Sequence, residues 1–344
     1  MERAKIEQFV DIINNNNNFV LTCHTNADGD ALGSTLGLRQ VLESLGKEAT
    51  VITPDLPPSF YSWLPGFKTI KVYDRETDAC NPIIEAADVV MIMDYNELSR
   101  VFALGEKLKE YPQKTFVLLD HHMEPNVNAS LEFSFPEASS TCAVVYEVLK
   151  AAGFDSVVDV PAATNLYTGI ITDTGGLSYS SNDPDLYLLV ADLLRKGIDK
   201  PFIHDKIFNN KDLRRLKLLG YSLLKRMHRI ASLPLTIVAL SADDLEKFKY
   251  FTGDTEGFVN IPLQSRDVIA NVLILERPDM IKLSIRSKGD FYVRDFAAEF
   301  FGGGGHKNAA GGTFKGTFEE AVECYKKNIV EYYNKWLAQK SSQH

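Results

Sequence analysis

The sequence predicts an α/β protein: an N-terminal doubly wound, mainly parallel sheet followed by a smaller C-terminal α+β domain. Three observations carry that expectation. Short apolar runs inside "DVVMIMDYN" (88–96) and "TFVLLDHH" (115–122) suit strands buried on both faces. Between such runs lie stretches with apolar residues at helical spacing, the alternation of a parallel sheet with crossover helices. Beyond residue 233 strand-like segments follow one another, and "MIKLSIRSKG" (280–289) alternates with period two. A length of 344 residues suits two domains. The boundaries expected are 1–195 for the first, 196–230 for a helical linker and 231–344 for the second.

The N-terminus, "MERAKIEQFVDIINNNNN", is charged and helical in pattern, and the Asn14–Asn18 run reads as a helix stop and loop. "FVLTCH" (19–24) reads as a strand, "ALGSTLGLRQVLESLG" (31–46) as a helix ending in Gly, and "EATVIT" (48–53) as a second strand. "PDLPPSFYSWLPGF" (54–67) is a Pro-rich loop whose Phe60, Tyr61 and Trp63 could stack a base or simply pack in the core. Helices are expected at 98–110, 140–152 and 186–199, and a long one, basic on one face, at 213–230. Then come strands at 233–241, 268–275 and 280–287, a helix at 294–301, a Gly run, a strand, and a last helix at 318–337.

Composition narrows the class. The apolar fraction of 45% supports a sizeable core. A net charge of −9, from 37 basic and 46 acidic residues, argues against a protein that coats long nucleic acid by counterion release. Cys23, Cys80, Cys142 and Cys324 are scattered without CxxC spacing, so neither a disulfide framework nor a thiolate zinc site is expected. No signal-peptide apolar core and no run of about 18 apolar residues occurs, so the expected location is cytoplasmic, with no membrane partner.

The chemistry is concentrated where the apolar runs stop. His24, Asp28 and Asp30 follow the first strand, Asp94 ends "VVMIMD", Asp120, His121 and His122 end "FVLLDHH", and Asp173 lies in "GIITDTGGL" after an apolar helix or strand. Open α/β sheets bind ligands at the carboxyl ends of their strands. Carboxylates gathered there repel one another and call for cations. A mixed set of Asp oxygens and His nitrogens suits Mn²⁺ better than Mg²⁺ or Ca²⁺, and the number of groups suits two ions sharing a bridging Asp. Taken singly, Asp28-Gly29-Asp30 reads as a turn or helix cap, Asp94 as a loop acid and the His pair as packing. It is their joint placement at strand ends that points to metal.

"FFGGGGHKNAAGGTF" (300–314) is the second signal. A Gly run alone reads as a linker or helix cap. Here it lies between a helix and a strand, and His306 and Lys307 follow at once. Such a backbone can approach a ligand and aim N–H groups at phosphate oxygens. Lys282, Ser284 and Arg286 share a strand face, and Arg286 offers a fork for phosphate. Neither GxGxxG after the first strand nor GxxxxGK[ST] occurs.

The ordered set "HTNADGD", "MDYN", "LDHH" and "TDTGGL" resembles the DHH phosphoesterase superfamily, and "GGGGHKNAAGG" is similar to the signature of its DHH-associated C-terminal domain. The resemblance spans nearly the whole chain and is strongest to the stand-alone NrnA-type branch, bifunctional oligoribonucleases and 3′-phosphoadenosine-5′-phosphate phosphatases. It implies one Mn²⁺ on His24, Asp28 and Asp94, and a second on Asp30, Asp94, His121 and Asp173. It implies that His122 faces the scissile phosphate while Asp120 orients an imidazole. Arg286, Gly303, Gly304, Gly305 and His306 would grip the rest of the substrate. The expected partners are short RNA oligonucleotides or nucleotides, not long nucleic acid, and a homodimer is left open. Two other readings stand beside this one: an inorganic pyrophosphatase or exopolyphosphatase, which shares the metal motifs, and a nucleotide sensor without turnover.

Overall fold

The computed structural model describes residues 2–210 and 212–341. The chain forms two compact units, Met1–Asn209 and Asn210–His344. In the first, α1 (Arg3–Asn15) leads into β1 (Asn18–Thr22), α2 (Gly29–Ser44), β2 (Glu48–Thr53), β3 (Lys71–Val72), α3 (Tyr73–Ala86) and β4 (Val89–Met93). There follow α4 (Phe102–Lys109), β5 (Thr115–Asp120), β6 (Leu131–Ser134), α5 (Thr141–Ala151), α6 (Val160–Asp173), α7 (Pro184–Arg195) and α8 (Lys200–His204).

The six strands run in the order β3-β2-β1-β4-β5-β6, every neighbour parallel. Alternate residues of the central strands feed two cores. Phe19, Leu21, Met91 and Val117 pack against α1, α2, α5, α6 and α7, while Val20, Val90, Ile92 and Leu118 pack against α3 and α4. This is why the strands are apolar throughout: both pleat faces lie under helices. The doubly wound parallel sheet read from sequence is the one observed.

The second unit holds α9 (Leu213–Tyr221), β7 (Met227–Arg229), β8 (Leu235–Leu240), α10 (Ala242–Lys247), β9 (Ala270–Glu276) and β10 (Ile281–Ser287). Then come α11 (Arg294–Phe301), β11 (Gly304–His306), β12 (Ala309–Phe314) and α12 (Phe318–Ser341). Its mixed sheet runs β11-β12-β10-β9-β8-β7, with β8 and β9 parallel and the other pairs antiparallel. Ile281, Leu283 and Ile285 turn inward against α11 and α12, and Lys282, Ser284 and Arg286 turn the other way, as the alternation requires.

Several local readings differ. The helix expected over 213–230 ends in a π-helical turn at Arg226, and Met227–Arg229 pair with β8. The turn that follows uses Ala231 and Ser232 at positive φ, and a hairpin to an apolar strand outweighs continuation of an exposed basic helix. The Asn run does stop α1, but Asn16 is extended rather than left-handed, and β1 begins at Asn18. Tyr61 is buried, and Phe60 and Trp63 pack against the core, so this trio takes the packing alternative. The segment before Asp173 is helical, with Asp173 as the last residue of α6. Among the described residues no helix is long and apolar enough to cross a membrane.

Candidate metal centre

The strand order reverses between β1 and β4. That is the switch point where the connections diverge and open α/β sheets receive ligands. His24 and Asp28 follow β1, Asp94 follows β4, and Asp120, His121 and His122 close β5. Asp94 sits at φ 62°, a left-handed backbone that costs a non-Gly residue about 1 kcal/mol, and its N–H is held by Leu119 O at 3.1 Å. Asp30 enters from the first turn of α2 and Asp173 from the last residue of α6.

These side chains converge. His24 Nε2 lies 3.3 Å from Asp94 Oδ2. His121 Nε2 lies 3.6 Å from Asp94 Oδ1, 3.6 Å from Asp173 Oδ2 and 3.9 Å from Asp30 Oδ2. Three sets of ligand atoms each fall within 4.8 Å: His24, Asp28 and Asp94; Asp30, His121 and Asp173; Asp94, His121 and His122. Asp94 belongs to two of the three. Asp28 also caps α2, its Oδ1 accepting from Asp30 N at 2.9 Å and Ala31 N at 3.1 Å, so the bland and the chemical reading of that residue hold together.

The imidazoles are anchored. His24 Nδ1 donates to Thr25 O at 2.8 Å and His121 Nδ1 to Ala138 O at 3.3 Å, which leaves Nε2 of each aimed at the carboxylates. His122 Nδ1 donates to Asp120 Oδ1 at 2.7 Å. Asp120 is fully buried and stands behind His122, outside the three ligand sets.

The electrostatics of the cluster favours a bound cation. Burial and the nearby Asp94 charge push the Asp30 carboxyl up to about 7. Burial and Asp30 push Asp173 well up. Burial disfavours the His24 imidazolium, but its hydrogen bond and ion pair with Asp94 outweigh that and raise it to about 9. His121 is likewise raised to about 9 against its burial, by Asp94, Asp30 and Asp173. Asp94 is lowered despite burial by His24, His121 and His122. Without another cation the groups must keep protons to stay together. Divalent metal would relieve this, and the mixed oxygen–nitrogen set with anchored imidazoles fits such an ion.

The second unit gathers the other expected residues. Gly302, at φ 56°, ends α11. A Cβ on Gly305 would come within 2.4 Å of Ala309 O, so only glycine admits the close β11–β12 crossing there. Ala309 pairs with Arg286 on one side and His306 on the other, so Arg286 and His306 flank one small residue in a single cross-strand row. Gly304 and Gly305 run along the same edge in β11, and Gly303 comes just before them. Arg286 Nη1 donates to Ile285 O at 3.0 Å.

Two contributors carried no signal that sequence reading used. Asp55 accepts from Asn26 N with both oxygens at 3.0 Å and fixes the loop after His24. The amides of Thr141 and Cys142 hold Asp30, and only the Ser before an apolar helix hinted at a helix start there.

The description "DHH family, N-terminal domain" matches residues 18–170, and "DHHA1 domain" matches residues 236–337. A crystal structure of an exopolyphosphatase-related protein from Bacteroides fragilis is 38% identical, with a TM-score of 0.93 over 96% of this chain and 97% of that one. The chain belongs to the DHH family. This DHH protein is a phosphoesterase, a hydrolase of ester bonds. It is 27% identical to the bifunctional oligoribonuclease and PAP phosphatase NrnA of Thermus thermophilus, over 90% of each protein. To the protein of the same name in Bacillus subtilis it is 25% identical, over 85% of this chain and 88% of that one.

Proposed function

We propose that this DHH enzyme is a Mn²⁺-dependent phosphohydrolase that cleaves short oligoribonucleotides, linear dinucleotides and nucleoside 3′,5′-bisphosphates. The observation that carries the reading is the meeting of imidazoles and carboxylates from four separate segments, with Asp94 in two ligand sets. The names of the NrnA relatives support the substrate class.

His24, Asp28 and Asp94 would hold one ion, and Asp30, Asp94, His121 and Asp173 the other. Bound there, such ions would supply Lewis-acid polarisation of a phosphoryl oxygen and a water acidified for attack near neutral pH. Asp120 keeps the His122 proton on Nδ1, so Nε2 is the atom presented to the substrate phosphate. With Nδ1–H committed to Asp120, the doubly protonated ring carries a second proton on Nε2, which would hydrogen-bond a phosphoryl oxygen or pass to the leaving oxygen. The burial of Asp94 and Asp30 keeps bulk water from competing for the carboxylates. Arg286 and His306, with the small residues between them, grip a second phosphate or ribose. Substrates are short because the net charge of −9 supports no long track for a polymer. The enzyme acts in the cytoplasm, as a monomer or a homodimer.

A second reading, pyrophosphatase or exopolyphosphatase, is favoured by the printed name of the Bacteroides fragilis relative. Incubation with Mn²⁺, Mg²⁺ or Co²⁺ and, in turn, a short RNA, a bisphosphate nucleotide, pyrophosphate and polyphosphate decides between them. The expected result is mononucleotide and phosphate from the first two. Phosphate from pyrophosphate or polyphosphate alone would reverse the assignment, and binding without product would indicate a sensor.

A further inference from the structure

The start of α5 reaches both halves of the proposed metal centre. Ser140 caps the helix, its hydroxyl accepting from Ala143 N at 3.1 Å. The next two amides, which a helix start leaves without intrahelical partners, hold a distant carboxylate instead. Thr141 N donates to Asp30 Oδ2 at 2.6 Å, and Cys142 N donates to Asp30 Oδ1 at 2.9 Å. The Thr141 hydroxyl donates to Asp94 Oδ1 at 3.0 Å. Thr141 is fully buried. One residue therefore fixes an acid from each of the two ligand groups, Asp30 through its amide and Asp94 through its side chain.

We propose that Thr141 is a positioning residue of the metal centre, aiming the Asp94 carboxylate so that its remaining lone pairs face His24 on one side and His121 on the other. The inference rests on the metal reading of the site given above. A hydroxyl suits the task because it is neutral. It fixes an oxygen without cancelling the charge that a cation needs, as a Lys or Arg at the same place would. Each carboxylate oxygen has two acceptor positions, so one bond from Thr141 leaves Asp94 able to ligate. The left-handed backbone of Asp94 makes such a tether useful, since a side-chain hydrogen bond adds to the backbone one from Asp94 N to Leu119 O. Partners of metal ligands commonly matter about tenfold to a hundredfold in metal affinity.

Thr141→Val keeps the shape and both amide donors and removes the hydroxyl. Mn²⁺ binding to metal-stripped protein, followed by electron paramagnetic resonance, is expected to weaken about tenfold or more in Thr141→Val. Thr141→Ser, which restores the donor, is expected to bind as the wild type does. Thr141→Ala provides a second hydroxyl-free protein should the valine form fail to fold. Equal Mn²⁺ affinity in the hydroxyl-free and wild-type proteins overturns the positioning role and leaves the metal reading intact. So does a lowered melting temperature of the stripped protein with unchanged affinity, which marks a structural role alone. A wild type that binds no Mn²⁺ overturns both readings together.

Discussion

Asp94 bears two opposing demands. It is buried at a left-handed backbone, where a carboxylate is costly to desolvate, yet three imidazoles and a hydroxyl hold it ionised. It therefore counts in the fold as well as in the site. Asp94→Ala is expected to lower turnover by more than about 100-fold, since it removes the acid shared by two ligand sets. The melting temperature of the metal-free protein should fall at neutral pH, because the buried His24 and His121 lose the carboxylate that holds them charged. Steady-state kinetics beside a thermal melt checks both, and full activity would remove Asp94 from the proposed bridge. His122 makes a related point at the same scale. A His-His pair is ambiguous on paper, and only Asp120, two residues back, shows which ring nitrogen is committed.

The site acids of α2 and α6 are held in place by a packing device between the helices. Gly29, Gly33 and Gly37 recur at intervals of four along α2, on the face toward α6. A Cβ on Gly33 would stand 2.5 Å from Asn165 O, a backbone atom that cannot swing aside. A Cβ on Gly37 would stand 2.8 Å from Leu166 Cγ. The helices meet this closely so that Asp30, on α2, reaches the amides of α5 and faces Asp173 at the end of α6. Gly33→Ala is expected to cost about 2 kcal/mol through overpacking and to weaken Mn²⁺ binding as Asp30 shifts. Denaturant unfolding and a Mn²⁺ titration would show it, and an unchanged midpoint would mean that the helices can part freely. The four-residue glycine spacing was visible in the sequence. That it faces another helix was not, since spacing names a face and not its neighbour.

At the scale of the molecule, the two units carry separate cores, and their stabilities answer to different conditions. Metal should stabilise Met1–Asn209, where the three ligand sets found among the described residues lie. Acid should act on Asn210–His344 through Asp244, which pairs with Arg226 Nε at 2.7 Å and accepts from Tyr221 at 2.6 Å. Burial alone would raise that carboxyl; Arg226 and Tyr221 outweigh it and lower it. A lowered folded pKa gives stability that is present above the unfolded value of about 4 and is lost as pH falls through the folded one. Asp244→Asn should therefore cost about 1–2 kcal/mol at pH 7, a modest figure because Arg226 is partly exposed. The difference from wild type should shrink toward pH 3, and calorimetry at the two pH values would show a constant gap if Asp244 were already protonated. The sequence by itself determined the alternation of strand and helix, the parallel sheet and the roll of acids and imidazoles at strand ends. Those are local properties, written in apolar period and in where each run stops. Only the tertiary structure decided that β1 and β4 are neighbours, that Asp94 turns left-handed between three histidines, and that Thr141 reaches it from the start of α5. Such contacts join residues far apart in the chain, and their distances follow from how helices pack on the sheet, which no local pattern records.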